Sequence, residues 1–191
     1  AAANVTVNGA FTQVGGGTNS LGGDITSTTA GIDFLNAVTL TDAVAMDSNA
    51  GGGAIVFQST LDGTVADTET LALDSGAGDI TFSGAVGAGT SLGAVTITDA
   101  ATVNALGTFT AASFTQVAGT VLTDFQDAVT TTGNFTFAGT DLRLRDGAHT
   151  VGGAMALTNA GTFTTDAAAN VTVNGAFTQV GGGTNSLGGD I

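Results

Sequence analysis

The chain has no cysteine, proline, tryptophan or tyrosine, and its only basic residues are Arg143 and Arg145. Without cysteine there is no disulfide scaffold and no thiolate-bound zinc or iron–sulfur centre. One histidine, His149, cannot build a multi-histidine metal site. Two arginines cannot neutralise a run of phosphates, which argues against nucleic-acid binding. A net charge of −14 would be repelled by an anionic membrane surface. No apolar run reaches the roughly 18 residues of a membrane-spanning helix, so no membrane insertion is expected of this segment. No signal peptide is recognisable and the first residue is Ala1 rather than Met, which suggests the interior of a larger product.

Charge is scarce as well: 9% of residues against a typical quarter or so. What fills the chain is small. Gly (31), Ala (32) and Thr (35) together make 98 of 191 positions. Such a bias often marks disorder. Here a 42% apolar fraction and a mean hydropathy of +0.38 supply enough Val, Ile, Leu and Phe to form a core.

Residues 1–25 and 167–191 are identical, AAANVTVNGAFTQVGGGTNSLGGDI, so the sequence starts again at position 167. Residues 1–166 are therefore one full tandem unit, and 167–191 begin the next. Such an array extends in one dimension. The identical ends predict that a unit superposes on its successor without a seam.

Within the unit, short runs alternate apolar and polar residues, among them Val38-Thr39-Leu40-Thr41, Leu71-Ala72-Leu73-Asp74, Ile80-Thr81-Phe82-Ser83, Val95-Thr96-Ile97-Thr98 and Leu142-Arg143-Leu144-Arg145. Period-two alternation predicts strands. Gly-rich stretches separate them, and no segment keeps a helical period. Tight hairpin signals are few. Phe34, Phe57 and Phe82 recur at nearly even spacing, and the step from Phe114 to Phe137 equals that from Phe34 to Phe57. This spacing suits a parallel β-helix, or β-solenoid, in which one coil's Phe stacks on the next. Coils of roughly 20–28 residues would give about six to eight per unit. Proline is absent because it would remove a ladder hydrogen bond wherever it entered. Glycine is expected at corners, alanine in a narrow interior and threonine on the outer faces.

The segments GDITFSG (78–84), GAVTITDAATVNALG (93–107), NFTFAG (134–139) and NVTVNGAFTQVGGG (170–183) resemble the repeat regions of giant secreted bacterial surface proteins, the filamentous-haemagglutinin-like and autotransporter-type adhesins. The resemblance implies a right-handed parallel β-helix, export across the outer membrane of a Gram-negative cell and a stalk or filament role. It carries over no functional residue.

Several local features invite a chemical reading. Thr140 to His149 gathers both arginines, the histidine, Asp141 and Asp146, which would suit a polysaccharide lyase or hydrolase. The simpler reading, which is preferred, is an outer strand face whose arginines pair with Asp124, Asp127 or Asp166 one coil away. Asp24 and Asp79 lie in Gly-Gly-Asp and Gly-x-Gly-Asp sequences that faintly match a calcium-binding nonapeptide, but each occurs singly and they are far apart in the chain. Weakly bound calcium between surface aspartates of neighbouring filaments fits better. Thr-x-Thr pairs such as Thr108/Thr110 and Thr130/Thr132 match the ice-binding pattern in type, but their separations are irregular. Asn4 and Asn134 fit the glycosylation triplet incidentally. Glu69, the one glutamate, falls in a predicted loop.

The expected protein is a non-enzymatic structural segment of an extracellular filament, stalk or sheath at the cell surface, with no cofactor. Its partners would be further copies of itself, end to end or as a continuing array, with lateral contacts through divalent ions. The alternatives are the spacer of a glycan-binding adhesin and a β-helix enzyme acting on polysaccharide.

Overall fold

The alternating runs form short parallel strands, because each can satisfy its backbone groups only from the coils before and after it. The computed structural model describes residues 3–191 and is an all-β solenoid of about nine coils. The first two positions of the repeat, 1 and 2, lie outside the described residues. A single 3₁₀ turn, Asn49–Gly51, is the only helical element among the described residues. None of these residues lies in a helix long and apolar enough to cross a membrane.

Each coil visits three faces in turn. The first face carries Val5–Val7, Ile25–Ser27, Val44–Asp47, Leu71–Asp74, Leu92–Asp99, Phe109–Gln116, Phe135–Gly139, Met155–Asn159 and Phe177–Val180. The second carries Phe11–Gln13, Ile32–Phe34, Ile55–Phe57, Ile80–Phe82, Thr102–Ala105, Leu122–Phe125, Asp141–Leu144, Thr162–Thr165 and Thr184–Leu187. The third carries Asn19–Leu21, Val38–Leu40, Leu61–Asp62, the bridge residue Val86, Val129–Thr131, Gly147–Val151 and Ala169–Val173. Phe109–Gln116 turns a corner: Phe109 pairs with Val129 on the third face and Phe114 with Phe135 on the first. Coil length is uneven: one turn runs from Val95 to Phe114, whereas a longer one runs from Met46 to Leu73.

Inward side chains stack in columns. Phe34, Phe57 and Phe82 lie almost parallel, with ring centroids 5.6 and 5.4 Å apart, as the spacing predicted. Phe114 does not stack on Phe137. Its partner is Phe135, at 4.9 Å, because that coil closes two positions early, and Phe137 lies over Gln116 instead. The expectation for alanine also fails. Among the described residues only Ala100, Ala105, Ala111 and Ala169 of the alanines belong to the buried apolar set, which is otherwise mostly Phe, Leu, Ile and Val. Interior positions repeat about every 4.8 Å, and filling that space to normal packing density takes branched or aromatic volume.

Corners are crowded along the axis. A Cβ on Gly78 would lie 2.5 Å from the Gly53 carbonyl oxygen, and one on Gly53 would meet the backbone of Ala30. Glycine is needed there for close approach between coils rather than for a left-handed backbone. The inner side of the same corner carries buried hydroxyls on successive coils. Ser27 donates to the Ala30 carbonyl (2.8 Å), Ser48 to that of Gly53 (2.6 Å) and Ser75 to that of Gly78 (2.9 Å).

The two identical segments do not occupy equivalent places. Val5–Val7 is on the first face, whereas its copy lies within Ala169–Val173 on the third. Phe11–Gln13 is on the second face and its copy, in Phe177–Val180, on the first. Asn19–Leu21 is on the third and its copy, in Thr184–Leu187, on the second. The column holding Val5 reaches Leu157 after seven coils and Gln179 after eight. Val171, the counterpart of Val5, falls between these two positions. A unit spans seven coils and two further faces, so the predicted seamless superposition is one face out.

Candidate functional site: an arginine–aspartate clasp across three coils

Leu142 and Leu144 point inward, so period-two alternation turns Arg143 and Arg145 outward on the second face. The arginines reach in opposite axial directions. Arg145 makes a bidentate pair with Asp124 on the preceding coil, Nε to Oδ1 at 2.9 Å and a terminal nitrogen to Oδ2 at 2.7 Å. Arg143 makes the matching pair with Asp166 on the following coil, at 3.0 and 2.9 Å. Such fork-to-carboxylate pairs are directional as well as strong. Asp124 is only 2% exposed, and its Oδ2 also accepts from the Gln126 amide at 3.2 Å. The bond to Asp124 holds the Arg145 pKa above its ordinary value.

His149 does not join this group. The corner through Arg145, Asp146 and Gly147 (φ 131°) resets the alternation, and the imidazole points inward at 1% exposure. It follows Val129 in an apolar column and pairs in register with Val171. Its Nδ1 accepts from the Val129 N–H at 3.2 Å, so Nε2 carries the proton and donates to the Arg145 carbonyl at 2.7 Å. Burial lowers its pKa below 6.5. The residues that an acid–base reading would combine are thus divided: two arginines paired with carboxylates outside, one neutral histidine inside. The geometry matches the ion-pair reading, with Asp124 and Asp166 as partners. Asp127 instead accepts from the Ala128 N–H at 2.7 Å.

Asp24 and Asp79 do not come together. Asp24 accepts from the Ala45 N–H (2.9 Å) and the Asn4 amide (3.1 Å), and Asp79 accepts from the Thr102 N–H (3.1 Å). Both cap a strand start on the next coil. Asn134 does the same for the Ala154 N–H at 2.9 Å. Among the described residues no three Asp, Glu or His side chains are arranged to hold a metal ion. Asp47, Asp74 and Asp99 do stack on successive coils of the first face.

The threonines form single columns rather than paired arrays. Thr110, Thr130, Thr150 and Thr172 stand in register on the third face. No second threonine column accompanies them: Ala148 and Asn170 flank Thr150 and Thr172 on the preceding outward position. A shallow groove of about 450 Å³ runs along the corner between the first and second faces. Its lining includes Val117, Gly119, Thr140, Thr158, Asn159 and Gly182, none of them charged.

The chain matches no protein-family model, no curated protein and no solved structure.

The sequence placed Glu69 in a loop, and the structure adds its role. Its buried carboxylate accepts the Thr64 hydroxyl and the N–H groups of Thr64 and Val65. The Thr64 hydroxyl is the main reason its pKa lies below the usual 4.5. The carboxylate closes the excursion that lengthens the coil from Met46 to Leu73. Asp67, in the same loop, has φ 60° and accepts from Ser91 at 2.7 Å and Thr132 at 3.2 Å.

Proposed function

We propose that the chain is a structural segment of an extracellular filament, stalk or sheath assembled from tandem β-solenoid units. The reading rests on one observation above the rest: the segment 1–25 recurs without change at 167–191 and is taken up by the same continuous parallel ladder that precedes it. A ladder of this kind lengthens by adding coils, and its interior needs no ligand to be complete. Several outward side chains that could bear chemistry are engaged in holding coils together: Arg143 and Arg145 clasp three of them, and Asp24, Asp79 and Asn134 cap strand starts.

The acidic surface decides how such filaments meet. One unit, positions 1–166, carries 15 acids and two arginines, a net charge of −13. Neighbouring fibres therefore repel at low salt, and divalent ions shared between aspartates on facing fibres bring them together. Electron microscopy of the natural product tests the reading. Fibres whose length scales with unit number, and whose lateral spacing shrinks when calcium or magnesium is added, are the expected result. A short globular particle as the natural product would overturn it.

A further inference from the structure

We infer that successive units of the array are seated out of phase, each displaced two faces around the solenoid from the one before. The inference rests on the tandem-array reading above. The surface concerned is the edge of the last coil, formed by Phe177–Val180 and Thr184–Leu187, where Phe177, Val180, Leu187 and Ile191 are exposed. Its occupant is the continuing copy of this sequence, and the geometry at the second copy fixes how that copy sits.

The bonds of the first coil are set up again one face away. Val5 N–H donates to the Asp24 carbonyl at 2.8 Å, and Val171 N–H donates to the Asp190 carbonyl at 2.9 Å. The step that places Ile25 over Val5 on the first face therefore places Ile191 over Val171 on the third. The corner is rebuilt too. The Asn19 amide donates to Gln13 at 3.2 Å between the third and second faces, and the Asn185 amide donates to Gln179 at 3.2 Å between the second and first. The segment carries its own turn and strand pairing wherever it lands, and nothing in it returns the chain to its starting face.

Three units are then needed to bring a feature back to the same face, after 23 coils. At roughly 4.8 Å per coil, a unit advances about 37 Å and the same-face repeat is about 110 Å. The Arg143–Asp166 and Arg145–Asp124 clasp sits on the second face in this unit, on the first in the next and on the third in the one after. A neighbouring fibre thus meets the same patch from any side.

Cross-linking within the chain tests the phase. Thr150 and Thr172 are outward neighbours on the third face. Thr172 is the counterpart of Thr6, so an in-phase copy would instead carry it on the first face, over Thr158, the outward residue beside Leu157 in the Val5 column. With a short thiol-bridging reagent, Thr150→Cys/Thr172→Cys is expected to cross-link and Thr158→Cys/Thr172→Cys to fail. Thr6→Cys/Thr26→Cys, paired in register at the other end, reports that the fold and reagent are sound. The reverse pattern overturns the inference, as does failure of both test pairs while the control links. Imaging of fibres separates the two proposals. A same-face repeat of about 37 Å, one unit's rise, would sink the phase inference and leave the array standing. Absence of fibres would sink the array and leave the cross-linking result intact.

Discussion

The second to fourth coils and the sixth to eighth are built on the same three faces around one apolar core, which includes the Phe114–Phe135 stack, but the sixth to eighth add a second chemistry. In the former, Phe34, Phe57 and Phe82 form a parallel ring stack, and Ser27, Ser48 and Ser75 tie one corner. In the latter, coil is also joined to coil by the Arg–Asp clasp and by His149, and a buried polar pair braces a single coil where Gln116 accepts from Thr123 at 2.7 Å. Apolar stacking is indifferent to pH and tolerant of register. The polar joints are specific, and each leaves a buried partner stranded if broken. The fold therefore permits two ways of cementing neighbouring coils, and each half should fail in its own manner.

The largest effect is expected in the apolar half. Phe57→Ala removes a ring packed on both sides and should cost about 4 kcal/mol. Hydrogen exchange should show protection lost in the second to fourth coils first, because solenoid stability is a sum of nearest-neighbour terms. Equal loss in the seventh and eighth coils would show that the halves are not separable. Next comes Arg145→Ala, which strands the buried Asp124 carboxylate at a cost of about 3 kcal/mol. Adding Asp124→Leu should recover most of that in the denaturation midpoint, and no recovery would mean that the carboxylate was not the problem.

The third effect is confined to the polar half and to acid. The folded state lowers the His149 pKa below the 6.5 of the unfolded chain. The unfolded chain then binds the proton more readily, so the histidine's contribution is complete above pH 6.5 and is lost as pH falls from there toward the folded value. The slope can reach at most about 1.4 kcal/mol per pH unit. His149→Gln should abolish this dependence in the seventh and eighth coils, and a slope that survives would place the titration elsewhere. The smallest effect is local. Glu69→Gln should expose the loop around Thr64–Thr68 to protease while the unfolding midpoint stays in place. Because the Glu69 pKa is lowered, the wild-type clamp should hold as pH falls through 4.5.

Much of this architecture was legible from spacing. Alternation in Val38–Leu40, Ile80–Phe82 and Asp141–Leu144 identified strands, their inward residues and the outward arginines. The steps from Phe34 to Phe57 to Phe82 identified the ring stack. What spacing could not reveal is whatever depends on uneven coil length. Phe114 finds Phe135 rather than Phe137 because the chain comes round earlier there than the aromatic spacing suggested. The inward turn of His149 depends on Gly147, where the corner breaks the parity running from Leu144. The phase of the repeat depends on the sum of coils as unlike as Val95 to Phe114 and Met46 to Leu73, and the faces are too alike for one apolar triplet to declare its own.

The ladder hydrogen bonds run along the solenoid axis, and this sets how the molecule bears a load. Bending or compressing it strains many bonds at once. Tension applied through the chain end strains only the outermost coil, whose bonds open one after another before the next coil feels the force. A coil such as that from Val5 to Ile25 then releases about 70 Å of extended chain. A filament built this way would be stiff as a rod yet give way at its tip in discrete lengths, like a ratcheted tape, each release leaving the remaining coils intact.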